Sequence, residues 1–245
     1  MIEVEGLTKL YDEFPAVSEL SFVVHPGEVT GLVGPNGAGK TTTLRCLSGI
    51  IPATRGIIRI AGADLTTNPI TAKRQLAFFS DEPRVFDYLT VWQHLVFTAR
   101  IYQVADYEET GRGLLEELEM ADKIDLLPGE LSRGMKQKLA IACGLLHAPK
   151  VIFFDEPLTG LDPVGIRRMK NSILKRARDG AAIIISSHLL HLLEEVCSHV
   201  LILKSGRKVI DGTMGDILQK YSEQPGDANL EEVFFRATGE AGKSA

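Results

Sequence analysis

Residues 28–47 read EVTGLV, then GPNGAGKT, then TTLRCL: a short apolar segment with β-branched residues, a glycine-rich loop, and a segment free of helix breakers. That order admits few folds. A buried strand turning through a tight loop into a helix is the opening unit of an α/β sheet, and the loop satisfies G-x-x-x-x-G-K-[ST], whose backbone amides wrap the phosphates of a nucleotide. Gly37 and Gly39 are expected because amides must come within hydrogen-bonding distance of phosphate oxygens, where a Cβ would obstruct the approach. Lys40 is placed to reach the β- and γ-phosphates, and Thr41 to offer its hydroxyl to Mg²⁺. A helix predicted over 40–47 points its positive end at the same anion. The nucleotide-binding set in this segment is therefore Asn36, Gly37, Gly39, Lys40, Thr41 and Thr42.

The remaining composition narrows the partners. A net charge of −5 over 245 residues, with no long Lys/Arg run, argues against nucleic acid, which selects a basic face. Cys46, Cys143 and Cys197 are scattered without C-x-x-C spacing, so neither a disulfide framework nor a zinc site is expected, and a reducing cytoplasm fits. The start, MIEVEGLTKLYDEF, lacks the basic and apolar regions of a signal peptide. VIFFDEP and AAIIISSH fall short of the roughly 20 apolar residues that cross a bilayer, so any membrane role is borrowed from a partner.

Along the chain, residues 1–62 read as mainly β around the phosphate loop. The pattern turns helical from about Thr90, where Thr90 and Gln93 form a capping box for a helix starting at Val91. A second helix is expected over 107–118. A third follows Ser132, with Met135, Leu139, Ala142, Cys143 and Leu146 on one apolar face. β-structure returns with VIFFDEP and AAIIISSH, separated by a helix over 163–178 that Asp162 caps. A hairpin turning at Ser205 and Gly206 closes the β pattern. After Gly226 a short helix would put Leu230, Val233 and Phe234 on one face.

VIFFDEP ends a buried strand in two carboxylates, and strand ends at the carboxyl edge of an α/β sheet are where ligands bind. Asp155 suits the Mg²⁺ shell together with Thr41. Glu156, pointing differently, suits a general base that polarises the attacking water. With LSRGMKQKL at residues 131–139 the chain resembles the ATPase subunit of an ATP-binding cassette (ABC) transporter, from about residue 2 to residue 238. The segment is similar to the family signature LSGGQ, and the resemblance implies that Ser132 and Gly134 contact the γ-phosphate of ATP held by an opposing ATPase subunit.

It further implies an α/β fold: a P-loop NTPase (RecA-like) core over about 1–84 and 149–220, an N-terminal antiparallel β subdomain, an inserted α-helical subdomain over about 85–148, and a tail over 221–245. Tyr11 falls where the family stacks an aromatic on adenine, although a plain strand aromatic reads the same way; Val17 would touch the base edge. Leu161 and Asp162 match the D-loop, and His188 matches the switch histidine that contacts the γ-phosphate. The spacing of His188, His191 and Glu195 also suggests a metal site, but the strand end already explains His188.

The chain departs from the family at two places. Arg133 and Met135 replace the usual Gly and Gln of the signature, and Asp81 with Glu82 stands where the Q-loop normally supplies Gln. Asp81 is accordingly expected to hold a Mg²⁺-bound water, without the donor that Gln would supply. Phe86, Tyr88, Leu89 and Trp92 lie where the family receives a cytoplasmic helix of an integral membrane permease, and packing of the helical segment explains them as well.

The resemblance thus implies a homodimer or heterodimer of ATPase subunits closing on two ATP molecules, peripheral on the inner face of the membrane, and driving export through a separate permease. A regulator with weak hydrolysis is an alternative that Asp81 and Glu82 keep open. A soluble non-transport ABC ATPase would show a long coiled-coil insertion or two cassettes, whereas only about fifty residues separate Asp81 from Ser132 and one phosphate loop is present; a GTPase or kinase is weaker still, since the sequence has no guanine motif N-K-x-D and the signature would go unexplained.

Overall fold

The computed structural model describes residues 1–157, 162–221 and 229–239. Ile2–Tyr11 (β1) and Phe14–Val24 (β2) pair antiparallel, and Val29–Val33 (β3) leads through the glycine-rich loop into Lys40–Leu47 (α1). Arg55–Ile60 (β4) and Ala63–Asp64 (β5) return to β1, giving a four-stranded sheet in the order β2-β1-β4-β5. Pro69–Arg74 (α2) precedes Leu76–Phe79 (β6).

Three helices then interrupt the sheet: Val91–Tyr102 (α3), Tyr107–Glu117 (α4) and Arg133–Leu145 (α5). Their starts follow from capping. Thr90 and Gln93 exchange both bonds of a capping box at α3, and the Ser132 hydroxyl accepts from the Met135 amide at α5. Val151–Asp155 (β7), Pro163–Arg178 (α6), Ala182–Ser186 (β8), Leu190–Val196 (α7), His199–Lys204 (β9) and Arg207–Thr213 (β10) complete the core, followed by Met214–Tyr221 (α8) and Leu230–Thr238 (α9). Asp162 caps α6 by accepting from the Gly165 amide at 2.8 Å, with Pro163 at the first helical position. Leu161 lies outside the described residues.

The larger sheet has the order β10-β9-β3-β8-β7-β6, with β6 to β9 parallel and β10 antiparallel. Its central strands are apolar along their whole length because both faces are covered. Leu32, Phe153, Ile184 and Leu201 point to the side of α1 and the antiparallel sheet. Val33, Phe154, Ile185 and Ile202 point to the opposite side, where the inserted helices, α6 and α7 pack. In the tail, Leu230 and Val233 of α9 are fully buried in this second cluster, with Phe234 against it. β3 thus sits mid-sheet, and its carboxyl end lies beside those of β8 and, one strand further, β7. Chemistry-bearing residues at these three ends converge for that reason.

Candidate functional site

The loop over residues 34–41 leaves the end of β3 with Gly37 at φ 78° and Gly39 at φ 100°, conformations that L side chains rarely adopt. Gly39 has a second reason to be glycine: a Cβ there would lie 2.5 Å from the Ala16 carbonyl oxygen of β2. The antiparallel sheet therefore presses on the loop from the β2 side. Val17, expected at the base edge, is fully buried, 3.4 Å from that same Cβ position. It braces the loop and offers no surface to a base, a correction that follows from its inward orientation on β2. Tyr11, at the end of β1, is 45% exposed with the Lys9 ammonium 5.1 Å from its ring centre. Asn36 and Gly37 are exposed, while Thr42 is half-buried on the first turn of α1.

Lys40 folds over the loop and donates to the carbonyls of Gly34 at 2.5 Å and Pro35 at 3.2 Å. Burial lowers its ammonium pKa from the ordinary lysine value, against the opposing pull of Glu156 and Asp155. Thr41 donates its hydroxyl to Asp155 Oδ1 at 3.3 Å, and the Ser186 hydroxyl donates to the same oxygen at 2.6 Å. Asp155 is buried, so these bonds compensate a carboxylate removed from water. A threonine hydroxyl and a carboxylate joined in this way are hard oxygen donors of the kind and number that Mg²⁺ takes from a protein beside phosphates.

Glu156 is handled differently. Its backbone enters the left-handed region at φ 54°, a strained geometry for a non-glycine residue, and that turn swings its side chain out of the strand direction. Its amide donates to the Ser186 carbonyl at 3.0 Å, and its Oε2 lies 2.9 Å from His188 Nδ1. The His188 ring is largely exposed at 63% of its side chain, so the imidazole edge away from Glu156 is free to meet a ligand. Phosphate loop, Asp155, Glu156 and His188 are thus brought together by three neighbouring strand ends.

Ser132 and Gly134 lie apart from this group, at the start of α5, with Ser132 exposed. Asp81 lines the same groove as Thr41 and Asp155. Its carboxylate is engaged by Arg133, Nη2 to Oδ1 at 2.9 Å, in an ion pair about half open to solvent. Glu195 is likewise paired, with Lys170, and among the described residues no group of three or more His, Cys, Asp or Glu side chains suits a metal ion. Sequence reasoning missed Ser186, whose bond to Asp155 spans 31 positions, and the Asp81–Arg133 pair, which spans 52.

A groove of about 990 Å³ runs from Thr41 and Asp155 to Phe86 and Phe97, between the core and the inserted helices. Phe86 packs edge-on to Phe97 and its amide donates to His94 Nε2 at 2.9 Å. Of the two readings of Trp92, packing of the helical segment is the one it follows, between α3 and α4 against Tyr107 and Arg112, while Tyr88 stands almost wholly in solvent.

A family model described as "ABC transporter" matches residues 17–159. The chain is 31% identical to the "ABC-type transporter ATP-binding protein EcsA" of Bacillus subtilis (strain 168), covering 98% of this chain and 97% of that one. It is 36% identical to the "Bacitracin transport ATP-binding protein BcrA" of Bacillus licheniformis, covering 90% of this chain and 72% of the relative. A solved structure described as "Structure of ATP binding subunit of ABC transporter" superposes with a TM-score of 0.91 at 33% identity, covering 97% of this chain and 99% of that one.

Proposed function

The chain belongs to the ABC transporter family as an ATP-binding, ATP-hydrolysing subunit with the P-loop NTPase fold, and from that premise we propose how its residues divide the work. Asn36, the amides around Gly37 and Gly39, Lys40 and Thr42 bind the phosphates of ATP, and Tyr11 stacks on the base. Thr41 and Asp155 would hold Mg²⁺, and the chemistry it would supply there is charge neutralisation of the bound phosphates. Glu156 accepts a proton from the attacking water, and His188 keeps the carboxylate in place from one side while presenting its other edge to the γ-phosphate.

Ser132 and Gly134 bind the γ-phosphate of ATP held by a second ATPase subunit, so nucleotide is the contact that closes the dimer and hydrolysis removes it. The groove from Phe86 to Phe97 receives a helix of an integral membrane permease, holding the subunit at the inner membrane face. No helix among the described residues is long and apolar enough to cross a membrane. LSRGMKQKL and the ending NLEEVFFRATGE are similar to cassettes paired with ABC-2-type permeases, which supports export.

The observation that carries the catalytic assignment is the contrast between adjacent carboxylates: Asp155 buried and tied to two hydroxyls, Glu156 turned outward onto an imidazole. Glu156→Gln should still bind Mg·ATP while its turnover falls by about 10²- to 10⁴-fold, the range a general base supplies. Hydrolysis at the parent rate in a steady-state phosphate-release assay would show that Glu156 is not the base.

A further inference from the structure

Two departures from the family pattern, Asp81 in place of the Q-loop Gln and Arg133 in place of a signature Gly, meet in space. Arg133 Nη2 donates to Asp81 Oδ1 at 2.9 Å and approaches the Asp81 carbonyl at 3.4 Å, with both side chains about half exposed. One turn further along α5, the Gln137 amide reaches the Ser80 carbonyl at 3.5 Å, so a single face of the helix lies along the Ser80–Asp81 backbone. Arg133 needs this counter-charge. It occupies the first position of α5, where the helix dipole is already positive and no acidic residue stands in the first turn. Asp81 supplies a carboxylate there from 52 positions away.

We propose that Arg133 is a further γ-phosphate ligand of the signature segment, acting on ATP held by a second copy of the chain, and that Asp81 holds its guanidinium until that phosphate arrives. This rests on the assembly reading above, in which the flanking Ser132 and Gly134 face the opposing nucleotide. A guanidinium fork matches phosphate oxygens bidentately, and a γ-phosphate carries more charge than one carboxylate, so it displaces Asp81 as the partner. Each subunit therefore gives up one ion pair when the dimer closes. The Asp81 carboxylate opposes closure, and Arg133 drives it.

The test uses the full chain on the Glu156→Gln background, with dimer formation followed by analytical ultracentrifugation as Mg·ATP is titrated. Removing the Asp81 charge by Asp81→Asn should favour the dimer about threefold per contact, or about tenfold over two contacts, the scale of an exposed ion pair. Arg133→Ala should weaken the dimer at least as much, and Arg133→Lys should restore part of the loss. In the Arg133→Ala background, Asp81→Asn should change the dimer constant by less than about twofold, because the group it restrained is gone. Thermal melting of each variant near the parent value separates these effects from loss of fold. The inference is overturned if Asp81→Asn leaves dimerisation unchanged or weakens it, or acts equally with and without Arg133. No dimer of Glu156→Gln at any ATP concentration overturns the assembly reading, and this inference with it.

Discussion

Asp155 and Glu156 are covalent neighbours whose environments differ because the backbone turns between them. Asp155 still belongs to β7, pairs in register with Ser186 and shares its Oδ1 between two hydroxyls, whereas Glu156 at φ 54° has left the strand. The Ser186 hydroxyl is what orients Asp155. Ser186→Ala removes the 2.6 Å bond, leaving Thr41 as the hydroxyl donor to that oxygen, at a cost of about 1–2 kcal/mol for a charge-assisted bond. A Mg²⁺ titration of ATPase activity should show a several-fold higher requirement for the metal, with Mg²⁺-free ATP binding unchanged; an unaltered Mg²⁺ dependence would refute the orienting role. The two carboxylates were legible in the sequence because an apolar strand ending in DE is a local signal. Ser186 was not, since a serine ending a strand looks like any turn residue, and the Asp81–Arg133 pair depends on how α5 is laid across β6.

That placement is an element-scale property with an identifiable cause. α5 meets β6 at Gly144, where a Cβ would fall within contact of the Phe79 ring, and Phe79 in turn stacks on Phe154 of β7 with ring centres 4.9 Å apart. Close approach of helix and strand therefore depends on a missing side chain. Gly144→Ala would gain helix propensity but force Phe79 or α5 to shift, and overpacking of this kind costs about 1–3 kcal/mol. The expected outcome is a net loss of stability in chemical denaturation, together with altered fluorescence of Trp92 on the neighbouring α3. A stabilised protein would mean that the helix has room to move. The helices themselves were legible from their caps, Thr90, Ser132 and Asp162, because capping is local chemistry. Which residues line the groove was not, since Trp92 turned inward to α4 while Phe97, one helical turn and a residue further on, faces the cavity.

At the scale of the molecule, the inserted helices must stay registered with the core if the Phe86–Phe97 end of the groove is to act on the strand-end residues Thr41 and Asp155 at its other end. Glu117 at the end of α4 makes one such tie, accepting from Ser172 at 2.6 Å, Arg176 at 3.1 Å and Lys175 at 3.2 Å, all on α6. Burial by itself raises the pKa of this carboxyl, but the Ser172 hydrogen bond and the Arg176 charge, with further bonds from Arg176 and Lys175, outweigh it, and the net shift is downward from the ordinary glutamate value. A depressed folded pKa places the stabilising contribution above the unfolded value, and it is lost as pH falls through the folded value. Glu117→Gln should therefore lower unfolding free energy at neutral pH by about 1–2 kcal/mol, discounted because the pair with Lys175 is open to solvent. Below the depressed pKa the parent carboxyl is protonated too, and the two proteins should converge. Urea denaturation at pH 7 and in the acid range measures both points, and a difference that persists undiminished in acid would show that Glu117 acts through packing and not through its charge. Because the tie joins the insertion to the core, the same variant should also loosen the coupling of the groove to the site, read as increased hydrogen exchange in α4 and α5 with the strands around β3 unaffected.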